Sequence, residues 1–469
     1  MNQEKNLAYV TKLWDESIIP SLVEYIKIPN KSPQFDPDWK RHGYMDQAVK
    51  LISDWCRANA IDDMTLEVIQ QDKRTPVILI DIPGNNNDTI LLYGHLDKQP
   101  EMAGWDSDLG PWKPVLRGDK LYGRGGADDG YSTFASLAAL KSLHEQDLPH
   151  ARCVILIESC EESGSSDLPF YINMLEAKIG NPSLIICLDS GCGNYEQLWL
   201  TTSLRGLTAG VLTIEVLKQG IHSGSGSGIV PSTFRVLRQL LNRIEDEKLG
   251  DIILQDLHVD IPSERKQQAD KAANVLGNSL FEELPFHGQT KPESSSIADL
   301  ILRRTWKPAL SIIGIDHVPV IESAGNVTLP KLSIKLSMRL PPTCDAEKAS
   351  DILKSILEKK SPHDVSVSFE PHDSGSGWNA PKEQAWLANV ANKASNKYFG
   401  KDAVYMGEGG SIPFMGMLGK KFPEAQFIIT GLLGPGSNAH GPNEFLHIPT
   451  GKKLTACIAE IIATHYEQK

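Results

Sequence analysis

Three things are scarce in this 469-residue chain. No uninterrupted apolar stretch is long enough to cross a bilayer, which excludes a membrane-spanning helix. Positive charge is in deficit, with 47 Lys and Arg against 59 Asp and Glu for a net charge of -12, and no basic cluster appears. A nucleic-acid partner is therefore not expected, because phosphate neutralisation needs clustered cations. Cysteine is sparse and odd in number, seven residues at Cys56, Cys153, Cys160, Cys187, Cys192, Cys344 and Cys457 without a repeated spacing. That pattern fits neither a disulfide framework nor a zinc-thiolate motif, and it suits reduced thiols in a cytoplasm. The segment "MNQEKNLAYVTKLWDES" carries charge throughout and has no apolar core of the secretory kind, so the expected location is cytoplasmic.

What the chain does have is size and a particular texture. Its length exceeds that at which one hydrophobic core keeps growing, so two domains are expected. Short runs rich in Val, Ile and Leu lack polar alternation: "PVILIDI" from 76, "TILLYGHLD" from 89, "CVILIES" from 153, "SLIICLDSG" from 183 and "QFIITGLLG" from 426. Strands buried on both faces read this way and belong to parallel sheets covered by helices. Helical patterns over 42–60, 131–147 and 167–178 complete an α/β fold. From about 203 to 375 the texture shifts to alternating strands such as "LTIEVLK" and "KLSIKLSMRL", with a polar stretch over 258–300. The expected organisation is a first domain over 1–202, an inserted α/β domain over 203–375, and a return of the first domain over 376–469. "SGSGSG" from 223 and "DSGSG" from 373 are either hinges or ordinary surface loops.

Each buried run releases polar residues at its carboxyl end, the place where open α/β sheets bind ligands. His95 and Asp97 follow "ILLYG", Glu161 and Glu162 follow "VILIES", and Asp189 follows "LIICL". "GRGGADDG" over 123–130 adds Asp128 and Asp129 ahead of a helix starting near Tyr131. Taken singly, each acid reads as a cap or a turn former. Together they crowd negative charge at one edge, which repels unless a cation neutralises it. Carboxylates with imidazole suit zinc, cobalt or manganese.

These pieces resemble the co-catalytic metallopeptidase family that includes aminoacylases, acetylornithine deacetylase, succinyl-diaminopimelate desuccinylase, peptidase T, glutamate carboxypeptidase and carnosinase. The matching segments are "GHLDKQP", "WDSDLGPWKP", "LYGRGGADDG", "ESCEESGS", "CLDSG", "HSGSGSG", "NVTLP", "SMRLPP", "GEGGSIP" and "NAHGPNE", in family order from residue 94 to residue 444. The resemblance implies a phosphorylase/hydrolase-like catalytic domain with a ferredoxin-like lid and dimerisation insert. It implies that Asp128 bridges two divalent ions, zinc first with cobalt or manganese as alternatives. His95 and Asp189 would complete one site, and Glu162 and His440 the other. Glu161 would be the general base for attack by a bridging hydroxide on an amide carbonyl, with Asp97 orienting His95. His222 would stabilise the oxyanion, in related dimers from the opposite subunit. Glu158 would be structural. The dipeptidase and carnosinase branch further implies Asn326 and Arg339 on the substrate's terminal carboxylate, and Glu408, Gly409, Gly410 and Ser411 at the substrate's ends.

Two positions depart from the family. Gly130 stands where Lys is usual and Gly407 where Arg is usual, so two cations are expected to be missing near the pocket. The leading expectation is a cytoplasmic, homodimeric di-metal hydrolase of dipeptides or similar small peptides. The alternatives are an N-acyl amino acid deacylase or desuccinylase, a non-catalytic binding module on the same fold, and, more remotely, a metal-dependent lyase.

Overall fold

The computed structural model describes residues 1–468. Its central sheet has six strands in the order Thr65–Ile69, Val77–Ile82, Arg152–Glu158, Thr89–His95, Leu184–Cys187 and Gln426–Ile429. The last four run parallel, as the unbroken apolar runs predict. Alternation along each run explains that texture. Ile155 and Ile157 enter one core with Ile90, Leu92 and Ile186, whereas Val154 and Leu156 enter a second core with Leu91, Tyr93 and Ile185. Both faces are covered, so no position in the run is left for a polar residue. One expectation fails. Val77–Ile82 is as apolar as its neighbours but runs antiparallel to Arg152–Glu158, because the hairpin from Thr65–Ile69 delivers it at the sheet's edge side. Apolar continuity reports burial, and strand direction is set by the connection.

The predicted helices appear as Tyr44–Ala58, Ser132–His144 and, over 167–178, a pair broken at Leu175: Leu168–Met174 and Glu176–Ile179. Ser132–His144 is buried on nearly every side and rich in Ala and Ser, which lets Ile448–Tyr466 pack against it.

All four strands of a separate antiparallel sheet come from residues 206–375, in the order Ala309–Asp316, Lys331–Leu340, Gly206–Glu215 and Ser366–Gly375. Helices Thr233–Leu241 and Ala346–Glu358 cover one face through Val236, Leu240, Leu353 and Leu357. "DSGSG" lies where the chain passes between sheets: Gly375 pairs with Leu207 and Trp378 with Leu204. A Cβ at Gly377 would lie 2.3 Å from the Leu204 carbonyl oxygen, so that crossing needs glycine. "SGSGSG" instead opens a short helical turn, Ser223–Gly226.

A third sheet joins Trp199–Leu204 to Trp378–Asn379 and, in parallel, to Val404–Glu408. Helices Ser263–Leu276 and Ile297–Thr305 pack on it, with Ala269, Ala272 and Ile301 against Trp199, Val404 and Met406. The middle segment thus reaches back across the strand that carries the 408–411 loop.

Candidate metal centre

Three parallel strands end at one place. His95 is the last residue of its strand, Glu161–Ser163 is a single helical turn just beyond Arg152–Glu158, and Asp189 lies just beyond Leu184–Cys187. Asp128 comes from the turn Gly126–Gly130 ahead of the buried helix, where the Asp128–Asp129 peptide is cis. His440 comes from the loop between Gln426–Ile429 and Phe445–His447.

Asp128 is shared between two clusters. His95 Nε2 lies 3.4 Å from Asp128 Oδ1 and 3.5 Å from Asp189 Oδ2. On the other side, His440 Nε2 lies 3.1 Å from Asp128 Oδ2 and 3.4 Å from Glu162 Oε2. Within each group the donor atoms fall inside 4.8 Å of one another. His95 Nε2 is buried and makes no hydrogen bond among the described residues, so a nitrogen lone pair and two carboxylates face one small space. A borderline divalent cation fits that donor set on each side of Asp128.

The charges respond to this crowding. Burial works against a protonated His95, but Asp189, Asp128 and Asp97 outweigh it and hold the imidazole well above its usual range. Asp128 is held below the carboxylate range, burial being overcome by His440 and His95. Burial raises Glu162 well above that range, and the charges of Asp128 and Glu161 add to it. Glu161 is likewise raised, by burial first, with His95 opposing the rise and Asp189, Glu158 and Asp97 adding to it. Repulsion of this size is what two divalent cations relieve.

Asp97 ties the elements together. Its Oδ1 accepts from the Glu161 N–H and its Oδ2 from the Glu162 N–H, both at 3.0 Å. His95 Nδ1 lies 3.5 Å from Asp97 Oδ1 and 3.2 Å from the Asp97 carbonyl oxygen. Gln99 Nε2 donates to Glu162 Oε2 at 2.6 Å. Glu158 accepts from the Tyr93 hydroxyl and, at 2.8 Å, from the Ser165 hydroxyl, and burial pushes it up to about 7. It belongs to neither ligand group.

The structure therefore brings together His95, Asp97, Asp128, Glu161, Glu162, Asp189 and His440. It also joins Arg339 to Ser411, Nη1 to Oγ at 3.3 Å, and brings Glu408 against Gly191, two residues past Asp189. His222 and Asn326 lie elsewhere. His222 lies on an exposed two-stranded ribbon opposite Val327, and Asn326 immediately precedes that second strand, where Ser223 N–H donates to the Asn326 carbonyl at 2.8 Å and His222 accepts from Gly224 N–H at 3.1 Å. Among the described residues no hydrogen bond or ion pair links that ribbon to the two clusters.

Two further residues lie inside the matching segments without an expected role. Arg124 and Glu444 form a buried ion pair, Arg124 Nη2 donates to the Gly441 carbonyl at 2.8 Å, and Gly125 N–H donates to Glu444 Oε1 at 2.7 Å. That network clamps the turn before Asp128 to the loop carrying His440. The expected shortage of cations is also corrected. Gly407 packs on Ser203 and Thr305, and two arginines outside the motif, Arg205 and Arg304, flank Gly409. At Gly130 a Cβ would lie 2.2 Å from Tyr25 Cε1 and 2.5 Å from the Gly125 carbonyl oxygen, so this backbone admits no side chain there.

The sequence model of peptidase family M20/M25/M40 matches residues 91–464. The cysteinylglycine-S-conjugate dipeptidase of Corynebacterium striatum is 24% identical over 421 residues, covering 88% of this chain and 89% of that protein. The Beta-Ala-His dipeptidase of Rattus norvegicus is 24% identical over 502 residues, covering 99% and 97%. Among solved structures, a dipeptidase from Saccharomyces cerevisiae superposes with a TM-score of 0.77 at 22% identity, covering 99% of each chain, and shares the fold. With the family match spanning most of the chain and an Asp128-centred pair of ligand groups at the sheet's rim, the protein belongs to peptidase family M20/M25/M40.

Proposed function

We propose that the chain hydrolyses the amide bond of dipeptides or similar small peptides with a free C-terminal carboxylate. The observation that carries this reading is the position of Glu161: it adjoins the ligand Glu162, belongs to neither donor group, and is raised in proton affinity by its burial. Two divalent ions, zinc first with cobalt or manganese as alternatives, would be held by His95, Asp128 and Asp189 and by Asp128, Glu162 and His440. When bound they acidify a water and polarise the scissile carbonyl. Glu161 takes the water's proton on its carboxylate and delivers it to the leaving nitrogen, work that requires a carboxylate not committed to metal. Asp97 keeps Glu161 and Glu162 in register with His95 through its two backbone hydrogen bonds. Arg339, with its planar guanidinium, receives the substrate's terminal carboxylate, and the loop Glu408, Gly409, Gly410 and Ser411 frames it.

The remainder of the site is assigned to a second copy of the chain. His222 and Asn326 share one exposed ribbon, so a partner that contributes one contributes both: His222 to the developing oxyanion and Asn326 to the carboxylate. In this reading residues 203–375 form an inserted ferredoxin-like lid and dimerisation domain between catalytic segments 1–202 and 376–469. All seven cysteines are free and buried, in keeping with a cytoplasmic protein. No helix among the described residues is long and apolar enough to cross a membrane.

The deciding experiment is a panel of dipeptides set against N-acetyl and N-succinyl amino acids, with zinc, cobalt or manganese supplied. Turnover confined to the acylated set makes the protein a deacylase instead.

A further inference from the structure

Arg303 and Arg304 are neighbours with opposite surroundings. Arg303 meets three carboxylates, Asp251 at 2.8 Å, Asp299 at 3.0 Å and Glu293 at 3.5 Å. Arg304 makes its hydrogen bond to a thioether, Met406 Sδ at 3.5 Å. Two more arginines near it are also served by neutral groups. Arg205 donates through Nε to the Gly409 carbonyl at 3.1 Å and through Nη1 to the Arg303 carbonyl at 3.4 Å, and Arg339 donates to the Ser411 hydroxyl. Ser411 in turn donates to the Arg205 carbonyl at 2.6 Å. Gly409 is wedged between two of the side chains: a Cβ there would lie 3.1 Å from Arg304 Cγ and 3.3 Å from Arg205 Nη2.

This grouping is costly without an anion. Arg205 is only 9% exposed, and burial together with Arg339 and Arg304 lowers its pKa to about 10. Glu408 feels the charge of Arg304 and also accepts from the backbone N–H groups of Gly191 and Gly409, so it is only partly available to the arginines. Glu408 and Glu283 are two carboxylates against the three guanidiniums of Arg205, Arg304 and Arg339, which leaves the cluster positive by one charge in a chain whose net charge is -12. Beside it opens a cavity of about 300 Å³, with Arg304, Glu408, Glu283 and Gly191 on its wall and Met406, Leu280 and Leu433 as apolar lining. Gly191, on its wall, follows Asp189 by two residues in the chain.

We propose that Arg304, backed by Arg205 and set beside Arg339, forms a second anion subsite that selects dipeptides carrying a side-chain carboxylate in addition to the terminal one. The inference rests on the peptidase reading above and deepens it. A guanidinium binds carboxylate in a forked pair of hydrogen bonds, and partial exclusion of water strengthens the attraction. An uncharged amide of the same shape forfeits the charge-assisted part.

The test compares kcat/KM of the zinc-loaded protein on two matched pairs, Ala-Glu with Ala-Gln and Glu-Ala with Gln-Ala. The expected result is a preference of about tenfold or more for the acidic member of at least one pair. Arg304→Gln should bring that ratio close to one, and Arg304→Lys, which keeps charge but loses the fork, should retain part of it. The pair that responds identifies which residue of the dipeptide enters the cavity. Hydrolysis of all four substrates without charge preference, or a preference that survives Arg304→Gln, overturns the subsite and leaves the peptidase reading standing. Failure to cleave any of the four with any of the three metals overturns both.

Discussion

The Arg124 guanidinium and the Glu444 carboxylate, 320 residues apart in the chain, form an ion pair with side-chain exposures of 1% and 0%. Four residues beyond each side lies a metal-group residue: Asp128 follows Arg124, and His440 precedes Glu444. Removing one partner strands the other charge in the interior. Glu444→Ala is therefore expected to cost about 3–5 kcal/mol in urea unfolding. Bound zinc should fall with it, whereas the double variant Arg124→Met with Glu444→Leu should recover much of the stability. A loss in the single variant no larger than that of a surface substitution would show that the pair is not the clamp described.

Glu161→Gln separates chemistry from metal capture. The glutamine has nearly the same shape, and Glu161 belongs to neither ligand group, so zinc content should stay at two ions per chain. Turnover should drop by about a hundredfold to ten-thousandfold, the range a positioned general base supplies. Loss of one zinc in the variant would instead make Glu161 a ligand.

The acids and the histidine at the strand ends, His95, Glu161, Glu162 and Asp189, were legible from local chain logic, whereas His440 and the choice of Asp128 over Asp129 came from the family resemblance. A strand buried on both faces can release acids only at its end, so "VILIESCEES" brings Glu161 and Glu162 to the rim, where only their company with His95 and Asp189 points to a cation. Contacts that depend on distant segments were not legible. Arg304 at the end of Ile297–Thr305 reads as a basic residue suited to a helix C-terminus, and only the packing of that helix on Val404–Glu408 brings it to Gly409. Arg124 and Glu444 have the same problem across the whole chain. The direction of Val77–Ile82 was hidden for a different reason: its composition records two covered faces and says nothing about which way the strand runs.

Glu383 gives a pH signature away from the metal centre. Burial pushes its carboxyl up to about 7, the Tyr405 hydroxyl and Arg265 offsetting this only in part against Glu264. An unfolded chain sheds this proton near the ordinary glutamate value of about 4.3, while the folded chain keeps it until about 7. Stability attached to this group is therefore full at acidic pH and falls as pH rises between those two values. Glu383→Gln should raise Tm at pH 8 and leave it unchanged at pH 4. An equal shift at both would assign the effect to packing.

Gly130 invites a tempting repair. Restoring the lysine usual in the family would return a charge near the metals, but the first carbon of any side chain lands on Tyr25 and on the Gly125 carbonyl oxygen. Overpacking of this kind costs about 1–3 kcal/mol. Gly130→Ala and Gly130→Lys should both lower Tm, and the lysine should not raise activity. A lysine variant with wild-type stability would mean that the Tyr25 side yields more readily than its burial suggests.

His222 and Asn326 make the shared-site reading testable by mixing. A chain carrying His222→Ala keeps an intact Glu161 but lacks the group it would lend to its partner. A chain carrying Glu161→Gln has a dead base but an intact His222. In a mixed dimer with exchanged ribbons, the site built on the first chain's metal centre receives the second chain's His222, and every component of that site is wild type. Random exchange places half the chains in mixed dimers, each with one complete site, so mixing should restore about a quarter of wild-type activity from two nearly inactive proteins. If His222 served its own chain, each mixed dimer would hold two defective sites and mixing would restore nothing. Asn326→Ala should complement Glu161→Gln in the same way, because the ribbon delivers both residues together.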